Sequence, residues 1–227
     1  MVVSAALAAV LAAVLLGVPQ VVDLLPRLAG EPVSSGIANP ENSVAPVPDY
    51  TAVCTAPGVL DESAGCLNAA LDAIDHARAL EGVRPMVLPA GFAAMSVTRQ
   101  LFVAINLERV DRGLPPFFRL SLALDMVARR GALAGGDPPS PGKGFRATDG
   151  EWVGGAVNGL DADYLLMYDD GAESPNLNCT GGSGCWSHRE GIVANYGSGI
   201  LEMGAAFVAD SGGSGDSLAI SMAAAAR

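Results

Sequence analysis

The first feature in the hydropathy pattern is an uncharged run. No charged residue lies between Val2 and Val22, and the stretch from Ala5 to Leu16 is apolar on every side of a helix. About 20 apolar residues suffice to cross a bilayer. The run lacks the usual basic n-region and a clear A-x-A site, but its length and uniform apolarity predict an export signal or uncleaved signal anchor over residues 1–29 rather than a buried core helix. Residues 30–60 lose periodicity and fill with Pro, Ser, Asn and Val, as in a poorly ordered linker. A helical lead-in occupies 61–94. Within it Leu67, Leu71, Ile74 and Leu80 sit near one face, Asp61 or Ser63 caps the start, and Gly82 stops the helix.

From residue 95 the pattern alternates between periods. A helix is predicted over 97–112, ended by Gly113 and Pro115-Pro116. Another is predicted over 120–133, with Leu120, Leu124, Val127 and Ala128 as its apolar stripe, before Gly135-Gly136-Asp137-Pro138 breaks it. The stretch up to Asp149 reads as loop, 151–157 as a short extended segment, and 161–168 as a fourth helix. Residues 200–208 and 217–223 read as strands joined by a Gly-rich hairpin-type loop. The class that follows is α+β, with helices packed on a small, mostly antiparallel sheet.

Composition narrows the function classes. Half of the 227 residues are hydrophobic but only 5% are aromatic, so the core is built from small side chains. Thirteen Lys+Arg against 24 Asp+Glu give a net charge of −11, which argues against nucleic-acid partners and against electrostatic docking on anionic lipid. The four cysteines form two close pairs without CxxC spacing. Local disulfides Cys54–Cys66 and Cys179–Cys185 fit an oxidising compartment, with four free thiols as the alternative. No nucleotide-binding glycine motif and no G-x-S-x-G elbow is present. His76 lies among charges on the lead-in helix and reads as a solvated surface residue, which leaves His188 as the histidine to test for chemistry.

Two segments carry a resemblance. Asn106-Leu107-Glu108-Arg109, then Gly113-Leu114-Pro115-Pro116 and Ala128-Arg129-Arg130-Gly131, looks like the opening of a CAP domain, the superfamily of cysteine-rich secretory proteins, antigen 5 and pathogenesis-related 1, in its bacterial extracellular form. Ser187-His188-Arg189-Glu190-Gly191-Ile192-Val193 resembles the family's G-H-R-x-N-I-L motif, and Glu202-Met203-Gly204-Ala205-Ala206 resembles the strand after it. The resemblance covers 95–227 and implies a three-layer α-β-α sandwich. It also implies a cleft of two histidines and two acids that binds a divalent metal in some members. His188 matches the second histidine, Glu151 the first acid, and Asp169 more loosely the second. Where the first histidine belongs, this chain has Gly135-Gly136-Asp137-Pro138.

These matches set the functional expectations. His188, Glu151 and Asp169 are the candidate site residues, able formally to supply one nitrogen and two oxygens to a metal. No cofactor is expected beyond that possible divalent ion. The leading reading is an exported, CAP-like binding module at the cell envelope with a degenerate His/acid cleft. Its ligand would be a peptide, glycan or lipid, and its membrane contact would run through the N-terminal segment if uncleaved. The alternatives are a hydrolase using His188 with Glu151, and a purely structural module in which the ring of His188 bonds Glu151 and packs on Trp186. Arg109 is expected to pair with an acid, and the acidic residues around Tyr164 and Tyr168 to be solvated.

Overall fold

A computed structural model of the chain describes residues 37–55, 59–170, 186–197, 199–209 and 216–225. The predicted export segment, Cys179, Cys185 and most of the Gly-rich hairpin loop lie outside these residues. Among the described residues no helix is long and apolar enough to cross a membrane.

Among the described residues, five α-helices and four strands follow in order. They are α1 (Ala64–Leu80), α2 (Val97–Asp111), β1 (Arg119–Leu120), α3 (Leu122–Ala134), β2 (Phe145–Gly154), α4 (Gly159–Met167), α5 (Ser187–Ile192), β3 (Leu201–Val208) and β4 (Ser217–Ala225). The caps follow from the sequence. Ser63 Oγ accepts from the Cys66 amide at the start of α1, and the Asn158 side chain accepts from the Leu160 and Asp161 amides at the start of α4. Gly135, in the left-handed region at φ 63°, ends α3.

The sheet runs β1-β3-β4-β2, with β3/β4 and β4/β2 antiparallel and only the two-residue β1 parallel to its neighbour. Alternation along the strands gives the sheet two covered faces. One face carries Met203, Ala205, Leu218, Ile220, Met222 and Val153 into the main core with α1, α2 and α4. The other packs Ala206 and Ala219 on Ala128 and Ala132 of α3. Small residues make this second layer thin. A Cβ on Gly204 would lie 2.0 Å from the Leu124 carbonyl carbon, so no larger residue fits beneath α3. The architecture is α+β with helices on both sides of a mixed sheet.

Three boundaries differ from the sequence reading. Leu120 leaves the predicted third helix and, with Arg119, pairs with β3, and α3 starts at Leu122. Strand β2 begins at Phe145, inside the stretch read as loop, because nine residues of β4 from Ser217 to Ala225 pair with it across one irregularity. The segment read as a loose linker packs down from Val44 onward. The Val44 amide donates to Tyr168 O, Tyr164 Oη donates to Val44 O, and the buried Tyr50 Oη donates to Asp161 Oδ1 at 2.7 Å. The Cys54–Cys66 disulfide then joins this segment to α1.

Candidate functional site

Strand β2 is an edge strand, and its outer side meets α5 and the loop that follows α3. Alternation turns Glu151 toward the main core and leaves the Trp152 amide facing outward from the ladder. That amide donates to Asp137 Oδ1 at 3.0 Å, which pins the loop after α3 to the strand edge. Gly131 and Gly150 permit the approach. A Cβ on Gly131 would stand 2.7 Å from Gly136 O, and one on Gly150 would stand 3.1 Å from Pro138 Cβ.

Helix α5 brings His188 to the same place. Its N-cap, Trp186, adopts φ 72°, and the Trp186 amide donates to Asp170 O. The Asp170 carboxylate then receives the His188 amide on Oδ2 at 2.9 Å and stands 2.9 Å from His188 Nδ1 through Oδ1. On the ring's other side, Nε2 lies 3.3 Å from Asp137 Oδ1 and 3.8 Å from Glu151 Oε2. The ring is fully buried, Glu151 is buried, and only the Asp137 side chain, 45% exposed, reaches solvent. Gly191 completes the fit, since a Cβ there would fall 2.0 Å from Glu151 Oε1.

Electrostatics follow from one imidazole among three acids. Burial alone would lower the His188 pKa, but hydrogen bonds to Asp137 and Asp170, with the charges of Asp170 and Glu151, push it up to about 10. Glu151 is raised well above the usual carboxylate range, first by burial and then by Asp149, Asp137 and Asp170, with His188 opposing. Its Oε1 is buried and accepts no hydrogen bond. Asp137, Glu151 and His188 each offer a ligand atom, and these atoms lie within 4.8 Å of one another. Among the described residues the other group of this kind, Cys54, Asp61 and Cys66, contains the disulfide, whose sulfurs are bonded to each other.

His188 and Glu151, 37 positions apart in the chain, therefore stand side by side. Asp169, the looser candidate, is replaced beside Nδ1 by its neighbour Asp170. The Asp169 amide donates to Tyr164 O, and its charge acts on the Tyr50 and Tyr164 phenols. Asp137, not selected from the sequence, stands where the resemblance places a histidine. That coincidence of position was the available signal for it. The Trp186 ring centroid lies 5.8 Å from the Arg189 guanidinium.

Neighbouring polar residues brace this arrangement. Arg189 donates to Met167 O and to Glu81 Oε2, and lies over the Tyr168 ring, which locks α5 to α4 and to the end of α1. Among the described residues Arg109 pairs with no acid, contrary to the sequence expectation. It donates to the carbonyls of Pro115, Ile192 and Ala194 and stacks on Phe117 at 4.5 Å, and burial lowers its pKa to about 10. Asn106 accepts from the Phe117 amide and donates to its carbonyl, fixing the turn that Pro115-Pro116 begins. Glu108 is fully buried between Arg78 and Arg112 and accepts from Tyr168 Oη. The acids near the tyrosines are not solvated turn residues: Asp163 and Asp170 are fully buried, and Asp163 is held well above the carboxylate range by burial and by Glu108.

Comparison with family models, with curated proteins and with solved structures finds no match for this chain.

Proposed function

We propose that the protein is an extracytoplasmic, CAP-like binding module whose cleft holds a divalent cation between Asp137, Glu151 and His188. The observation that carries the cation is the Glu151 carboxylate. It is buried beside an imidazole nitrogen, and one of its oxygens has no donor. Burial favours the protonated form of this carboxyl in the metal-free protein, and a cation that displaced the proton would satisfy its unpartnered oxygen. The ring is also set up as metal-ligating histidines are, with a carboxylate holding Nδ1 and Nε2 directed at the other acids. Two carboxylates and one imidazole suit a harder ion than a thiolate site does, with Mn2+ and Zn2+ as the natural probes. A bound ion would supply positive charge and an open position for an anionic group of the ligand. The Cys54–Cys66 bridge supports the oxidising compartment, and the ordered matches at Asn106–Pro116 and Ser187–Val193 support the CAP kinship.

Isothermal titration of the chelator-treated chain with Mn2+ and Zn2+ tests this. One equivalent is expected to bind, more tightly at pH 8 than at pH 6 because the proton on His188 must leave. Glu151→Gln is expected to weaken binding by about tenfold or more. Equal affinity in the Glu151→Gln variant sinks the site.

A hydrolase is the second reading, favoured by the Asp170–His188 pair. At neutral pH the ring would enter as an acid, because its three carboxylate neighbours keep it protonated. Peptide or glycoside turnover that survives chelation and disappears in His188→Gln would favour this reading.

A further inference from the structure

The outer face of α3 is apolar although its inner face is already used. Leu124, Val127, Ala128 and Ala132 are buried against the sheet, whereas Leu122, Met126 and Leu133 are 75%, 55% and 57% exposed. At 3.6 residues per turn, positions 122, 126, 129, 130 and 133 fall on one side of the helix. Soluble surfaces rarely keep such a stripe without a partner.

The charges on this face identify the partner. Arg129 and Arg130 are exposed here, and the one acid of the helix, Asp125, turns inward to accept from the Ala205 amide. The outer face thus carries two positive charges and no negative one, on a chain with a net charge of −11. Whole-chain charge argues against a generally lipid-binding surface, but it also orients the molecule. This face can therefore approach an anionic surface with its two arginines leading.

Chain length completes the argument, resting here on the reading of the N-terminal run as a membrane anchor. The uncharged stretch ends at Val22 and the described residues begin at 37, so 14 residues (23–36) intervene. Fully extended, they reach about 50 Å at most. An anchored chain would therefore hold the folded part continuously within reach of the bilayer, where weak surface contacts suffice. We propose that the outer face of α3 docks on the surface of a bilayer with anionic headgroups. Leu122, Met126 and Leu133 enter the interface, and Arg129 and Arg130 sit at the phosphates.

The test uses the full chain with 13C-methyl methionine in nanodiscs containing phosphatidylglycerol and a headgroup-spin-labelled lipid. The Met126 methyl signal is expected to broaden strongly, the buried Met203 and Met222 signals to stay sharp, and R129E/R130E to remove most of the Met126 broadening. A chain that inserts into the disc while Met126 stays sharp overturns the docking and leaves the anchor standing. A chain that stays outside the disc removes the anchor. In that case docking survives only if Met126 still broadens against the disc, and a sharp signal overturns it too. Dimerisation in lipid-free detergent that protects Met126 and is lost in R129E/R130E overturns the proposal in favour of a second copy.

Discussion

Single residues decide the site by what they lack as much as by what they offer. Gly191 sits opposite Glu151 with room for no Cβ, and Asp149 Oδ2 lies 2.8 Å from the same point. Gly191→Ala therefore has to push Glu151 away from His188. The expected cost is about 1–3 kcal/mol in denaturant unfolding, typical of overpacking, together with weaker cation binding. Wild-type affinity and stability in this variant would mean that the Glu151 position is not set by close packing. The sequence made His188 and Glu151 legible because a rare imidazole and a motif match singled them out. Asp170 was obscured by Asp169 beside it, since a turn between helix and loop decides which of two adjacent acids points inward. Arg109 misled for a related reason. A buried guanidinium bonds backbone carbonyls as readily as acids, and its carbonyl partners Ile192 and Ala194 are over 80 residues away.

At the scale of elements, the helices were legible and the strand edges less so. Helices α1 and α2 carry local start and stop signals at Ser63, Gly82 and Gly113, and both form close to where those signals stand. The early start of β2 depends on pairing of Phe145 with Ala225 at the far end of β4, 80 residues later, which no local pattern reports. The docking of the segment from Val44 to Cys54 was legible only at its disulfide: the Cys54–Cys66 pairing was expected, whereas Tyr50 finds its partner Asp161 in α4. Its attachment is testable. The bridge spans 12 residues, so its removal in Cys54→Ser/Cys66→Ala is expected to cost about 2–3 kcal/mol in urea unfolding. Faster proteolysis around Thr51 should accompany that loss, whereas an unchanged cleavage rate would show that Tyr50 and Val44 hold the segment alone.

The whole molecule gathers buried charge on one side of its sheet, and this makes its stability depend on pH. In the metal-free protein the His188 pKa rises from 6.5 to about 10, so its contribution is complete below about pH 6.5 and is lost as pH climbs through 10. Glu151, raised from 4.5, acts in the same direction, because the folded state favours its protonated form. Unfolding free energy measured in chelator is therefore expected to fall between pH 6.5 and 10, with a shallower fall in His188→Gln. An equal slope in the two proteins would refute this account. The α+β class was legible from alternating periodicities, whereas the two-sided covering of the sheet depended on the resemblance. Strands as rich in Ala and Gly as β3 and β4 do not announce which of their faces is buried.

The loop bearing Asp137 is the immediate continuation of α3, and it is clamped without slack between Gly131, Gly150 and the Trp152 amide. Only Gly135 and Gly136 separate the end of the helix from the acid beside the imidazole. The outer flank of the helix and the acid facing the imidazole thus belong to one short stretch of backbone, three residues from the last turn of α3 to the sheet edge that holds Asp137.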